Sequence, residues 1–285
     1  MRRGYARTPQ GEIHYREDGV GDALVFLHAV PRSGGYFRHA LPLFAPHFRA
    51  IAMDIPGFGG SDPLPGPPTI RAFAASVAQF LDALGIARAH VFGLHTGNKI
   101  AAALAADFPA RVGNLVLAGQ THSLIPDKAA RDRAILHLSE HYFPKYAESA
   151  DGAHRVRQWA AAHAEMQALW WPQAVRTAAT VRAVDIDNAE AMALDYLQGW
   201  RNILPVYQAN FSFDLEESLR PIEAPTLVLE FLTPQEAQLG EQSGRVCALM
   251  KRAQAASLQG DGEIFETDPA RVAEPTLRFL KGDTV

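Results

Sequence analysis

The sequence has almost no cysteine and no long apolar run. Cys247 is alone among 285 residues, so no intramolecular disulfide forms and a reducing compartment is expected. No stretch approaches the roughly 18 to 20 apolar residues that cross a bilayer. The first residues, MRRGYARTPQGEIHYREDG, are polar where an export signal is apolar. These absences predict a cytoplasmic protein with no membrane partner.

The charge is small and evenly spread. Lys and Arg number 27 against 31 Asp and Glu, a formal net charge of -4. Because no run of Lys or Arg offers a footprint for a phosphate backbone, we expect no nucleic-acid partner. With 48% hydrophobic residues the chain can bury one large core. The sequence gives no basis for an oligomeric state.

Short apolar runs alternate with amphipathic runs over the first 120 residues, a pattern typical of a parallel sheet covered by helices. The runs predict strands at residues 23–28, 48–54, 89–94 and 112–118, and helices at 69–84 and 98–106. The fold class is therefore α/β.

The composition changes after Gly119. Residues 121–219 are helical in pattern and rich in aromatic side chains, with no clear strand. Afterwards the pattern predicts strands at 225–231 and 255–258, and helices at 241–253 and 269–281. We therefore predict one core from residues 1–120 and 220–285, with a helical cap inserted at 121–219.

Three motifs follow predicted strands. HAVP at 28–31 is a sharp turn whose backbone N–H groups can face a developing negative charge. DIPGFGGSD at 54–62 is a glycine-rich loop. GLHTG at 93–97 joins a strand to a helix, and its small flanking residues permit a strained turn that lifts the central side chain above the sheet.

In this order the motifs resemble the α/β-hydrolase fold family over essentially the whole chain. The resemblance implies a mostly parallel sheet flanked by helices, an inserted cap, and a triad of Ser, acid and His. The sequence departs from that pattern at each member. His95 stands where the family has Ser, Asp or Cys, and no Asp closely follows the strand ending near Glu230. Where the family has its His, the alignment places Glu263 or Gly262.

An imidazole at the turn excludes acyl-serine chemistry there, because no hydroxyl is present to be activated. His95 could act as a general base toward water or as a nucleophile. We hypothesise that a carboxylate from Glu263 or Asp261 pairs with it, with Glu230 and Glu236 as alternatives. No metal and no cofactor are expected.

The resemblance also implies an oxyanion site formed by the backbone amides of Val30 and Thr96. Arg32 is interpreted either as a partner for an anionic substrate or as a solvated surface residue. His137 and His141 are spaced four apart, which suits a metal pair, although a solvated polar face is the preferred interpretation. The remaining residues predicted to lie at the substrate site are His28, His122, Trp170, Trp171, Trp200 and Tyr207.

These residues predict a capped enzyme that hydrolyses a small, partly apolar organic molecule. Two alternatives stay open at this point. One is a cofactor-free lyase or proton-transfer enzyme. The other is a catalytically inactive homologue that binds a ligand without turnover.

Overall fold

The sheet has eight strands in the order β1-β2-β4-β3-β5-β6-β7-β8. The structure is a computed structural model that describes residues 1–119, 124, 127–165, 183–233, 241–260 and 264–283. All neighbours from β4 through β8 are parallel, whereas β1 and β2 pair antiparallel at one edge. The strands are β1 (Arg2–Thr8), β2 (Gly11–Asp18), β3 (Ala23–Leu27), β4 (Arg49–Met53), β5 (Ala89–Leu94), β6 (Val112–Ala118), β7 (Thr226–Leu232) and β8 (Ala253–Gln259).

The central strands read as continuous apolar runs because helices cover both of their faces. Every residue of β3, ALVFL, is buried. One face carries side chains such as Val25 and Val91, and the other carries Phe26 and Phe92. The predicted α/β fold with a mostly parallel sheet is confirmed.

Ten α-helices are described. They are α1 (Leu41–Phe44), α2 (Ile70–Ala83), α3 (Thr96–Asp107), α4 (Lys128–Tyr142), α5 (Ala153–Glu165), α6 (Ala183–Ser212), α7 (Leu215–Leu219), α8 (Ser243–Leu249), α9 (Ile264–Thr267) and α10 (Pro269–Leu280). Helices α2 and α3 pack on the Val25 face, and α1 and α10 on the Phe26 face. In the described part of the chain, no helix has both the length and the apolar character needed to cross a bilayer.

Helices α4 to α7 lie between β6 and β7, and we call them the helical insertion. The longest, α6, has 30 residues, which corresponds to a length of about 45 Å at 1.5 Å per residue. Its Met192, Tyr196, Ile203 and Val206 are buried in the same core as the Val25 face of the sheet. The insertion therefore packs directly on the body of the protein.

The structure differs from the predicted elements in several places, and the short helices α1 and α9 are among the elements that were not predicted. The β1–β2 hairpin was not predicted, because its strands alternate exposed polar residues with a few buried ones. The helix predicted to reach residue 253 ends at Leu249, since β8 begins at Ala253 opposite Thr226 of β7. Helix α3 begins at Thr96, two residues earlier than predicted.

Candidate active site

The turn between β5 and α3 holds His95 in a strained conformation. Its backbone has φ 49° and ψ -105°, and no other non-glycine residue of the described chain has a positive φ. A Cβ at Gly93 would lie 2.3 Å from the carbonyl oxygen of Gly97, and a Cβ at Gly97 would lie 2.1 Å from the carbonyl oxygen of Leu27. Both glycines are therefore required for strand, turn and helix to approach so closely. This packing fixes residue 95 at the apex.

The imidazole of His95 lies against the carboxyl end of β6. A Cβ on Gly119 would be 2.7 Å from His95 Cε1, so the ring occupies the space that a side chain at 119 would need. The His95 amide donates to the carbonyl oxygen of Ala118 at 3.1 Å. Asn98 Nδ2 donates to the carbonyl oxygen of Gly119 at 3.3 Å. The His95 side chain is half-buried, so it is not sealed beneath hydrocarbon.

The predicted carboxylate partners of His95 have different outcomes. Asp261, Glu263 and Glu236 lie outside the described residues, so a pairing with any of them stays a prediction. Glu230 is buried in β7, and its Oε1 accepts a hydrogen bond from the Gln242 amide at 2.6 Å. This carboxylate therefore joins β7 to the segment that precedes α8.

The amides of Val30 and Thr96 lie at the same edge of the sheet. Leu27 and Gly93 are register partners in β3 and β5, so the turns that follow these strands are neighbours. Thr96 is the first residue of α3, where the helix dipole favours negative charge. Within the described chain we find no protein acceptor for either amide. Both amides therefore lie at one edge of the sheet without a protein acceptor in the described residues, and their role in binding an oxygen atom stays a prediction.

His28 was predicted to contact substrate, and the structure corrects this assignment. The side chain is completely buried. Nδ1 donates to the carbonyl oxygen of Ala29 at 2.9 Å, and Nε2 accepts from the Ile55 amide at 2.9 Å. Burial lowers the pKa of His28 although Asp54 opposes it, which agrees with a neutral ring. His28 therefore connects the loops after β3 and β4 and has no nitrogen left for a ligand.

Asp54 anchors the glycine-rich loop. Its Oδ1 accepts from the Gly34 amide at 2.7 Å, and its Oδ2 accepts from the Gly60 amide and pairs with His14 Nδ1, both at 2.8 Å. Burial alone would raise the pKa of Asp54, but the hydrogen bonds that the carboxylate accepts from His14 and from the Gly60 amide outweigh burial, so the pKa lies below its usual value. This carboxylate is a structural centre for three segments of chain.

The interpretation of Arg32 as a solvated surface residue is wrong. Arg32 is buried, and its charge is tolerated there because two carboxylates pair with the guanidinium group. Its Nε donates to Asp195 Oδ2 at 3.2 Å, and its Nη2 donates to Glu266 Oε1 at 2.8 Å. Asp195 Oδ2 also accepts from the Ser33 amide at 3.2 Å. Arg32 therefore joins the turn after Val30 to α6 and α9, and its charge is neutralised by protein groups.

Helix α6 contacts the loops that follow β3 and β4. Besides the Asp195 contact, Asn202 Nδ2 donates to the carbonyl oxygen of Gly57 at 2.8 Å. The hydroxyl of Tyr207 donates to the carbonyl oxygen of Val30 at 3.4 Å. The structure thus places Tyr207 beside the turn that carries the Val30 amide, where the sequence predicted a substrate-site residue.

Comparison with known proteins agrees with this architecture. The model of the alpha/beta hydrolase fold family matches residues 22–231. The chain belongs to this family. A 2-hydroxy-6-oxo-6-phenylhexa-2,4-dienoate hydrolase of Comamonas testosteroni is 38% identical over 112 residues, 38% of this chain and 39% of the relative. A 2-hydroxy-6-oxononadienedioate/2-hydroxy-6-oxononatrienedioate hydrolase of Burkholderia vietnamiensis is 41% identical over 113 residues, again 38% of this chain and 39% of the relative.

The matched region thus spans about two fifths of the length of these curated relatives. Solved structures extend the similarity to the whole fold. The epoxide hydrolase CorEH has a TM-score of 0.76 at 19% identity and covers 98% of both chains. An enol-lactonase from Burkholderia xenovorans LB400 has a TM-score of 0.69 at 20% identity and covers 98% of this chain and 100% of its own. At these identities the likeness concerns the fold.

Of the other residues predicted for the substrate site of this α/β-hydrolase-fold chain, the structure describes Trp200, and its role there stays a prediction. Trp200 is buried within the helical insertion, where its Nε1 donates to the carbonyl oxygen of Pro144 at 3.3 Å and its ring packs edge-on against Phe143. His122, Trp170 and Trp171 lie outside the described residues.

The two histidines whose spacing suits a metal pair lie in α4. The His137 side chain is exposed, and the side chain of His141 is not among those described. In the described residues no group of three or more His, Cys, Asp or Glu side chains could hold a metal ion. A metal pair at these histidines gains no support from the described part.

One buried ionisable residue of the α/β-hydrolase-fold core was not singled out by the sequence analysis. Lys99 is completely buried, four residues after His95 in α3. Its Nζ donates to the carbonyl oxygen of Asn210 near the end of α6. Burial and the charge of Lys128 lower the pKa of Lys99 to about 7, and Asp132 offsets only part of this. The available signal was a lysine directly before the Ala-rich run IAAALAA, in a helix predicted to pack closely on the sheet.

Proposed function

We propose that this chain is a hydrolase that adds water to a carbonyl or acyl carbon of a small, partly apolar molecule. The imidazole of His95 acts as general base or nucleophile, and the amides of Val30 and Thr96 bind the carbonyl oxygen. The observation that carries the proposal is the strained, half-exposed apex at His95. Strain of about 1 to 3 kcal/mol at such a position persists only where the surrounding structure over-determines it, and it clusters at active sites.

The general-base route needs only groups of this chain and one water molecule. A ring nitrogen of His95 takes a proton from water as the water oxygen bonds to the carbonyl carbon. The negative charge that develops on the carbonyl oxygen is stabilised by the two amides. When the bond to the leaving group breaks, the imidazolium returns the proton to that group. The products are a carboxylic acid and the protonated leaving group.

The protonation state of His95 decides whether this route operates at neutral pH. The amino terminus of α3 disfavours imidazolium by about 0.3 to 1 kcal/mol, which favours the basic ring. A carboxylate from Asp261 or Glu263 would favour imidazolium and orient the ring. We propose that one of these two residues supplies the carboxylate.

The substrate class follows from the site and from the relatives. The two amides suit a carbonyl oxygen, and the relatives cited above are named as hydrolases of 2-hydroxy-6-oxo compounds. We propose an oxo or acyl substrate and a helical insertion that acts as a cap over it. The contact between Tyr207 and the Val30 turn supports this placement of the insertion.

The test is turnover of a panel of 2-hydroxy-6-oxodienoates, small esters and lactones by the wild type, His95→Ala and His137→Ala. Loss of a general base lowers the rate by roughly 10² to 10⁴, so we expect His95→Ala to lose at least about 100-fold in kcat. His137→Ala, which removes an exposed imidazole, retains wild-type turnover. Equal turnover by His95→Ala and wild type would contradict the proposed role.

Two further measurements separate the alternatives. Reaction in ¹⁸O-labelled water places the label in the acid product if the enzyme is a hydrolase, whereas a lyase gives unlabelled product. A ligand-binding homologue turns over no member of the panel, yet its thermal midpoint rises in the presence of compounds that it binds. That result would overturn the enzyme proposal.

A further inference from the structure

Lys99 lies at the junction between α3 and the carboxyl end of α6. It is completely buried, and its Nζ donates to the carbonyl oxygen of Asn210. The phenyl ring of Phe211 is 5.9 Å from the same nitrogen. A charged ammonium has three N–H donors to satisfy, and in the described chain this carbonyl is the one acceptor found for it.

The surroundings of Lys99 are unfavourable to its charge. Lys128 of α4 donates to the carbonyl oxygen of Phe211 at 2.8 Å and to Asp132 Oδ2 at 2.6 Å, so a second ammonium shares the end of α6. Asp132 Oδ1 and Asn210 Oδ1 are buried without a hydrogen-bond partner. Two cations thus share one carboxylate, and of the two only Lys99 is completely buried, since the Lys128 side chain is 33% exposed.

Charges on the other elements packed against α3 do not compensate for this. Arg71 pairs with Asp107 and Arg220 with Glu216, all of them exposed. Asp82 and Glu217 are also exposed, and His90 and Arg111 are half-buried. The electrostatic neighbours that act on Lys99 are Lys128 and Asp132.

We propose that Lys99 is a proton-controlled strut, whose neutral amine holds the carboxyl end of α6 against α3 and whose protonation opens that end of the helical insertion. The open state is favoured by protons because there the ammonium is solvated. The folded pKa of about 7 lies below the ordinary value of 10.5. The closed state therefore gains stability as pH rises from about 7 toward 10.5, and below 7 the dependence disappears.

The strut acts on the candidate site through Tyr207. This residue lies one turn before Phe211 in α6, and its hydroxyl contacts the turn that carries the Val30 amide. Opening the end of α6 would withdraw that contact and admit ligand. This consequence rests on the proposed function, whereas the opening itself does not.

The test is amide hydrogen exchange of the full chain between pH 6 and pH 9.5, corrected for the intrinsic exchange rate. Residues 207–212 are compared with those of α2 (Ile70–Ala83). We expect protection of residues 207–212 to be constant below pH 7 and to rise by up to tenfold per pH unit above it, with no comparable rise in α2. Lys99→Met removes the dependence, and Lys251→Met, which removes an exposed lysine, preserves it.

Three results would overturn the proposal. They are constant protection in the wild type, an equal slope in α2, or an unchanged slope in Lys99→Met. If Lys99→Met does not fold, the wild-type profile with α2 as internal reference still decides. Because exchange is measured without substrate, failure of the strut and failure of the proposed hydrolase activity are distinguishable.

Discussion

The Asp54 carboxylate and the Lys99 ammonium are both buried ionisable groups, but their surroundings differ in how completely they are satisfied. Asp54 receives hydrogen bonds from Gly34 and Gly60 and pairs with His14. Lys99 has one carbonyl acceptor, and two nearby oxygen atoms have no partner. A buried charged group whose hydrogen bonds are all made holds its surroundings in one conformation. A group that lacks some of its hydrogen bonds leaves a second conformation accessible. The loops beside the turn at Val30 are thus fixed, whereas the end of α6 can take a second arrangement.

Removing the Asp54 carboxylate is the largest expected disruption. Asp54→Ala leaves three donors unpaired in a buried region, which costs about 3 to 5 kcal/mol in the free energy of unfolding. Because the pKa of Asp54 is lowered, this contribution is complete above its ordinary pKa and declines as pH falls through the lowered value. Urea unfolding followed by circular dichroism measures it. The exposed Asp82→Ala is the control, and equal losses in the two variants would contradict the role of Asp54.

Replacing Lys99 is expected to raise the free energy of unfolding, whereas replacing Asp54 lowers it. Lys99→Met exchanges a buried cation for an apolar chain of similar length and should stabilise the protein by about 1 to 4 kcal/mol at pH 6. The gain shrinks toward pH 9.5, since the lowered pKa means that the wild type no longer buries a charge there. Unfolding curves at both pH values test this. If Lys99→Met loses stability at pH 6, or gains the same stability at both pH values, burial of the Lys99 ammonium does not destabilise the wild type.

Gly119→Ala tests the position of the imidazole. The new methyl group would lie 2.7 Å from His95 Cε1 in a backbone with φ +60°, so the ring must move. We expect a loss of about 1 to 3 kcal/mol from this overpacking, together with lower turnover. Gly85→Ala is a matched control, because φ is +67° there and nothing lies within 4 Å. If both variants lose the same stability, the contact with His95 contributes nothing.

The smallest effect is expected at Asn98. Its amide bonds are long, at 3.3 and 3.4 Å, and its Oδ1 has no partner. Asn98→Ala should therefore cost less than about 1 kcal/mol. Asn202→Ala, which removes a 2.8 Å bond to the Gly57 carbonyl, should cost more. Urea unfolding of the two variants measures both losses of stability. A larger loss in Asn98→Ala than in Asn202→Ala would mean that the hydrogen bonds of Asn98 are as strong as those of Asp54.

The buried parallel strands could be predicted from sequence, because a continuous apolar run such as ALVFL is typical of a strand that is covered by helices on both faces. The β1–β2 hairpin could not, since an edge strand such as RRGYART mixes exposed and buried residues. The apex position of His95 was also predictable, because Gly93 and Gly97 have no side chain and so permit the close approach of strand, turn and helix that places residue 95 above the sheet.

Long-range pairing accounts for what sequence reasoning missed at the site. Arg32 looks like a surface residue in its own segment, yet Asp195 and Glu266, its partners, are 163 and 234 positions away. His28 likewise looks like a ligand-binding residue until the Ile55 amide is placed against its Nε2. Such contacts depend on how distant loops converge, and no local pattern records them.

The glycines at 93 and 97, rather than the residue between them, set the shape of the β5–α3 corner. The backbone of the turn therefore does not depend on which side chain residue 95 carries. An alcohol, a thiol or a carboxylate substituted at this position would lie at the same place above the sheet. An alcohol or a thiol there would still need a neighbouring base to become nucleophilic, so what the corner provides is the position of the reactive atom.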